Sequence, residues 1–226
     1  MSPETVQVRP YSSAVLDHPS PFRYGIFMRP GPAFGETALR AMEIAHRQFG
    51  FRAAISYPPH TTLVGSLALA VPERKLLDVL DKLLASRAAV RMWNKGLDSQ
   101  FGDSIGYNVN EDGAGGPNRR LRELVTDLFT AVEPLRTHPP TDRGIAKRKL
   151  EDGSGFEGHL TVVGHDGVDN LALTWECLEY LRTLGLDGPA TDPGDTVSLY
   201  RFHSQDWAGR YWETMQWAVM KSWKLG

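Results

Sequence analysis

Pro59-His60-Thr61-Thr62-Leu63-Val64-Gly65 decides how this chain is read, because Gly158-His159-Leu160-Thr161-Val162-Val163-Gly164 says it again. Aligned on the histidines, the copies agree at His60/His159, Thr62/Thr161, Val64/Val163 and Gly65/Gly164. β-Branched and apolar residues closed by glycine predict a strand in each copy. Side chains at i and i+2 share one face of a strand. His60 and Thr62 are therefore expected on one face with Leu63 on the other, and His159 and Thr161 likewise against Val162. One His-x-Thr triplet is commonly a core or edge feature. Two copies in matching surroundings predict two half-sites meeting across one cleft.

The surroundings do match. In the first half, Phe22-Arg23-Tyr24-Gly25-Ile26-Phe27-Met28 predicts a strand ended by Arg29-Pro30-Gly31-Pro32. Residues 36–49 carry Ala38, Ala41, Met42, Ala45 and Phe49 at helical spacing, with Gly50 as the stop. After the first motif, Pro72 opens a helix with Leu76, Leu77, Leu80, Leu83 and Leu84 inward. Residues 90–97 predict a closing strand. The second half runs through the same order: a strand over 104–108, with Gly106 taken as the counterpart of Gly25, and a helix over 118–132. The second motif follows, then a helix over 170–184 with Leu171, Trp175, Leu178 and Leu181 inward. Strands over 196–202 and 216–223 finish the chain.

A chain of 226 residues, 41% apolar and 23% charged, is long enough for a substantial core and ordinary for a globular protein. A net charge of −2 provides no global basic field for long nucleic acid, while a small anion held by local cations remains allowed. The single cysteine, Cys177, permits no internal disulfide and no cysteine-based metal cluster, and it fits a reducing, cytoplasmic setting. No apolar run reaches the length of a membrane span. The polar, proline-dotted residues 1–21 read as an extension without a signal-peptide core. The halves differ most over 136–157, rich in Gly, Pro and charge, where Arg143, Lys147, Arg148 and Lys149 precede the second motif. A long aperiodic insertion of this kind is expected to hang over the cleft and supply cations to an anion.

Two imidazoles facing one pocket suit general acid–base work, since both protonation states are accessible near neutral pH. Hydroxyls beside them can donate to non-bridging phosphate oxygens. These parts fit phosphate ester cleavage without a metal or other cofactor. The paired His-x-Thr strands, each in a βαβ-like lobe, resemble the 2H phosphoesterase superfamily, which includes RNA 2′,3′-cyclic phosphodiesterases and 2′-5′ RNA ligase-like proteins. The resemblance runs from about Tyr24 to the C-terminal strands. It implies an α+β, bilobal fold of duplicated βαβ-type lobes, with two antiparallel sheets facing a central groove. The expected organisation is a domain over 22–226, lobe one about 22–98 and lobe two about 99–226, with strand exchange between lobes allowed. The resemblance also implies His60 with Thr62 and His159 with Thr161 as the catalytic pairs, His159 as base and His60 as acid.

The expected activity is a cyclic phosphodiesterase opening a 2′,3′-cyclic phosphate on a nucleotide or an RNA end, with no obligate protein partner. The alternatives are a 2′-5′ RNA ligase-like or biosynthetic phosphoester enzyme, and a binding module that grips RNA ends or cyclic nucleotides without turnover. Tyr24 and Phe27 alternate faces on the first strand, so one of them looks into the groove; Tyr24 joins the four cations as a candidate substrate contact. His46, in the first helix, reads as surface or boundary; His18, His138, His165 and His203 lack a repeated partner and read as structural, although His165 follows the second motif closely enough to line the groove's end. Trp207, Tyr211, Trp212, Trp217 and Trp223 read as packing residues, one or two of them able to stack on a base.

Overall fold

The computed structural model describes residues 20–137, 156–205, 207 and 210–226. The first half runs β1 (Phe22–Met28), α1 (Pro32–Phe49), β2 (Thr61–Leu67), α2 (Glu73–Leu84), β3 (Met92–Trp93) and β4 (Leu97–Gln100). The second half repeats it as β5 (Ser104–Asn108), α3 (Arg119–Val132), β6 (His159–Val163), α4 (Leu171–Thr183), β7 (Thr191–Asp192) and β8 (Thr196–His203). A last strand, β9 (Gln216–Lys224), has no counterpart in the first half.

The sheet order is β4-β5-β6-β2-β1-β8-β9, and every pairing is antiparallel. Each half lends its closing strand to the other: β4 pairs with β5, and β8 pairs with β1. The two half-sheets meet where β2 touches β6, and the register pair that joins them is Thr61 with Leu160. The short strands β3 and β7 form a separate two-stranded ribbon. The fold is thus α+β, with a large antiparallel sheet, a small second sheet and four α-helices among the described residues.

The helices bury their apolar stripes in one core with Ile26, Met28, Leu63, Leu160 and Val162 of the strands. Thr61, Leu63, Leu160 and Val162 are buried, whereas His60, Thr62, His159 and Thr161 are half-buried on the other face. The alternation demanded by a strand period of two therefore puts both motifs on the side away from the helices.

Local chemistry explains the boundaries. Pro32 sits in the first turn of α1 and Gly50 closes the helix at φ 81°, a left-handed conformation that glycine adopts without strain. Asn118 and Asn170 cap α3 and α4, accepting from Leu121 N at 3.2 Å and Leu173 N at 3.1 Å.

Three sequence expectations are corrected. The strand over 90–97 is broken into β3 and β4, because Gly96 turns the chain at φ 88° and Asn94 Oδ1 accepts from its amide at 2.9 Å. Trp175 is 48% exposed: the buried stripe of α4 is Thr174, Cys177, Leu178 and Leu181, and Trp175 lies about 100° away from it. Gly106 pairs with Thr161 as Phe27 pairs with Thr62, and both strands carry a register shift just before that residue. The counterpart of Gly106 is therefore Phe27, not Gly25.

Candidate active site

The Thr61–Leu160 pair lies at a local two-fold axis. Continued one residue either way, that register sets His60 opposite Thr161 and Thr62 opposite His159. The two histidines are then diagonal neighbours, and such residues in an antiparallel pair lie about 7–8 Å apart. Their proximity is also electrostatic, since a charge on His159 disfavours a charge on His60. Four groups named from the sequence are thus gathered at the centre of one sheet.

Each imidazole is fixed in the same way. His60 Nδ1 lies 2.7 Å from the Pro58 carbonyl oxygen, and His159 Nδ1 lies 2.7 Å from the Glu157 carbonyl oxygen. A carbonyl only accepts, so Nδ1 carries the proton in the neutral ring and Nε2 presents its lone pair. The repeated contact, two residues back along the chain, presents the same nitrogen in both lobes.

Burial is the main cause that pushes His60 down from its ordinary 6.5 to about 4; the Pro58 carbonyl opposes it and His159 adds to it. His159 is also lowered, chiefly by burial, while the carbonyl and the charge of Glu157 pull it back up. Both rings are therefore neutral near pH 7. They are not equally covered. Phe27 stacks on His60 with ring centroids 3.8 Å apart and planes at 18°, and Tyr57 flanks it at 5.6 Å. His159 meets Phe101 edge-on at 5.2 Å.

Gly25 makes the Phe27 arrangement possible. A Cβ at position 25 would lie 2.5 Å from the Phe27 ring, which folds back over the glycine. Phe27 belongs to a second apolar cluster with Tyr200 and Phe202, against which Tyr57, Trp207 and Met215 pack. Through Phe27 and Tyr57 this cluster packs against His60.

Asp166 ties the lobes together. Its Oδ2 accepts from the amides of Arg52 and Ala53, at the start of the loop that delivers His60. Next to it, His165 packs against Tyr211 and Trp212 at 5.9 Å and 6.1 Å. His165 is lowered mainly by burial, and a charge on His159 adds to the effect.

Of the other candidate contacts, Tyr24 is corrected. It faces the helices, and its hydroxyl donates to Glu73 Oε2 at 2.9 Å; burial first, and then this hydrogen bond, push its pKa up to about 12. The β1 residue that looks toward the histidines is Phe27. Arg143, Lys147, Arg148 and Lys149 lie outside the described residues, as do residues 1–19 of the N-terminal extension. Among the described residues, no group of three or more His, Cys, Asp or Glu is placed to hold a metal ion. No helix among them is long and apolar enough to cross a membrane. A shallow cavity of about 360 Å³ lined by Phe22, Arg201, His203, Gln216, Trp217 and Ala218 includes neither motif histidine.

Sequence reasoning passed over Tyr57, Phe101 and Asp166. Tyr57 stands just before the first motif, and an aromatic there was a usable signal. Phe101-Gly102 was another, since the turn between two short strands ordinarily takes Asn-Gly or Asp-Gly. Nothing near Asp166 in sequence announces that it reaches back to residues 52 and 53.

The fold is similar to that of several solved structures that share little sequence with this chain. A protein of Thermus thermophilus superposes at a TM-score of 0.55 with 14% identity, covering 90% of this chain and 97% of that one. E. coli LigT complexed with NADP+ gives 0.53 with 12% identity, covering 90% of this chain and 97% of that one. A structure described as a phosphoesterase gives 0.51 with 14% identity, covering 90% and 98%. No family model and no curated protein sequence matches the chain.

Proposed function

We propose that the protein is a phosphodiesterase that opens a 2′,3′-cyclic phosphate on a nucleotide or RNA end by two-histidine acid–base catalysis. One observation carries the reading: two neutral imidazoles, each held through Nδ1 by a backbone carbonyl, present Nε2 from diagonal positions of adjoining strands. In-line displacement at phosphorus needs a base behind the attacking water and an acid behind the departing oxygen, on opposite sides. A pair related by a two-fold axis meets that demand.

Water attacks phosphorus and its proton passes to one Nε2. The bond from phosphorus to one ribose oxygen breaks, and that oxygen takes a proton from the other Nε2–H. The product is a phosphomonoester, and the two rings have exchanged protonation states. The family resemblance assigns His159 as base and His60 as acid. An anion bound between the rings favours the imidazolium form, so the proton His60 donates arrives with the substrate. Thr62 and Thr161, one beside each histidine, hold the non-bridging oxygens, where negative charge collects. Arg143, Lys147, Arg148 and Lys149 supply binding energy to the same anion. Nucleotide recognition has a precedent in the neighbours, since E. coli LigT has been crystallised with 3′-AMP and with NADP+.

The test is turnover of purified protein in EDTA against 2′,3′-cyclic nucleotides and oligonucleotides ending in a cyclic phosphate. The expected result is ring opening that persists in chelator and is lost in His60→Ala and in His159→Ala. Full activity in either variant, or turnover that EDTA abolishes and a divalent ion restores, rejects the mechanism.

A further inference from the structure

Phe101 and Gly102 are the central residues of the turn between β4 and β5, with Asp103 N donating to Gln100 O at 3.3 Å. Both central residues have positive φ, 57° at Phe101 and 83° at Gly102. That combination suits Asn-Gly or Asp-Gly and disfavours a large side chain at the first position. Among the described residues, Phe101 is the one non-glycine with positive φ. Its ring is not compensated by burial, because the residue is 52% exposed. Neither the turn nor the core accounts for a phenylalanine there.

Its position does. The ring stands edge-on to His159 at 5.2 Å, with 79° between planes, at the mouth of the site. The aromatic cover of His60 is of another kind: Phe27 is 4% exposed and already stacked on the imidazole. The His60 side is closed by packing, while the His159 side presents an exposed aromatic ring next to the imidazole.

We propose that Phe101, exposed beside His159, is a stacking platform for the nucleobase of the substrate. The inference rests on the phosphoester reading above and sharpens it: it selects nucleotides and RNA ends over cyclic phosphates of simple sugars. Base–aromatic stacking tolerates any base, because every base has a π-face. Phe101 therefore raises affinity for nucleotides as a class without choosing among them.

The experiment is calorimetric titration of the wild type, Phe101→Asn and Phe101→Trp with 3′-AMP and with 1-deoxyribose 3-phosphate, the same phosphate without its base. Asparagine fits the positive φ, so Phe101→Asn should melt about 2–4 °C higher. It should also bind 3′-AMP about ten-fold more weakly, with unchanged affinity for the baseless phosphate, and Phe101→Trp should keep the 3′-AMP affinity. Unchanged 3′-AMP binding in a folded Phe101→Asn, an equal loss for both ligands, or no binding of either ligand by the wild type overturns the platform. If 3′-AMP binding depends on Phe101 while no cyclic phosphate is turned over, the platform stands and the catalytic reading fails.

Discussion

Replacing Phe27 by leucine tests what sets the acidity of His60. The phenyl ring lies 3.8 Å from the imidazole and covers one face, while Tyr57 flanks it at 5.6 Å. The fall from 6.5 to about 4 is caused first by burial, and a gap of that size is a penalty of about 3 kcal/mol on the imidazolium. Leucine keeps an apolar side chain in the cluster and avoids the loss of about 3–5 kcal/mol that a Phe→Ala change in a core brings. If rehydrating one face returns half of the penalty, His60 titrates near pH ~5 in Phe27→Leu. The imidazole C2–H resonance followed by NMR from pH 3 to pH 8 reads this directly, with His60→Gln giving the assignment. Stability must move with it. Unfolded, His60 takes its proton near 6.5; folded, it holds out to about 4. The unfolded state thus binds the extra proton between those values, and the wild type loses stability as pH falls through that window. Phe27→Leu should show a shallower loss there. A His60 that titrates at 6.5 in the wild type, or at an unchanged low value in Phe27→Leu, refutes the argument that apolar cover sets its pKa.

Four further outcomes are expected. A substrate with a much better leaving group should rescue His60→Ala and leave His159→Ala slow; rescue of His159→Ala instead reverses the assignment of acid and base. Thr62→Val and Thr161→Val should each lower kcat/KM by about ten- to a hundred-fold, the worth of a hydrogen bond to a charged group, and steady-state rates unchanged in both would remove the hydroxyls from the site. Asp166→Ala should free the loop at Arg52 and Ala53, lowering kcat while Asp166→Asn retains part of the rate; equal rates in all three proteins would leave Asp166 without a positioning role. Neutralising Arg143, Lys147, Arg148 and Lys149 singly should raise KM more than it lowers kcat, and four unaltered pairs of constants would place them outside substrate binding.

Most of the fold was legible because its signal is periodic and duplicated. The helical stripes of α2 and α3, the strand alternation around His60 and His159, and the repeated order of elements are properties of neighbouring residues. What escaped was set by partners far away in the chain. The register that matches Gly106 with Phe27 arises from pairing with β6 and β2, and no local pattern in Ile105-Gly106 reports it. The face that α4 buries is chosen by the elements it packs on, so Cys177 and Thr174 go inward where Trp175 was expected. For the site, the sequence named the four groups of the two motifs, since short motifs carry their own chemistry. It misjudged Tyr24 against Phe27, because alternation separates the two faces without saying which one meets the groove.

The duplication explains why two imidazoles meet; the differences between the copies explain why the two rings have unlike surroundings. In lobe one the residue paired with the motif threonine is Phe27, whose ring covers His60; in lobe two it is Gly106, which has none to offer. A Cβ at Gly106 would lie 2.8 Å from the Leu160 carbonyl oxygen, so a ring there would collide with the strand that carries His159. His159 keeps an open side, with the exposed Phe101 edge-on to it, and the carbonyl and charge of Glu157 favouring its imidazolium. The closed side thus holds a ring that resists protonation until an anion arrives, and the open side holds one that solvent and substrate can approach. Water reaches the less covered imidazole of His159 more readily than the one beneath the Phe27 ring. Under the proposed mechanism, that accessibility favours His159 as the group that activates water, with His60 acquiring its proton when the phosphate binds.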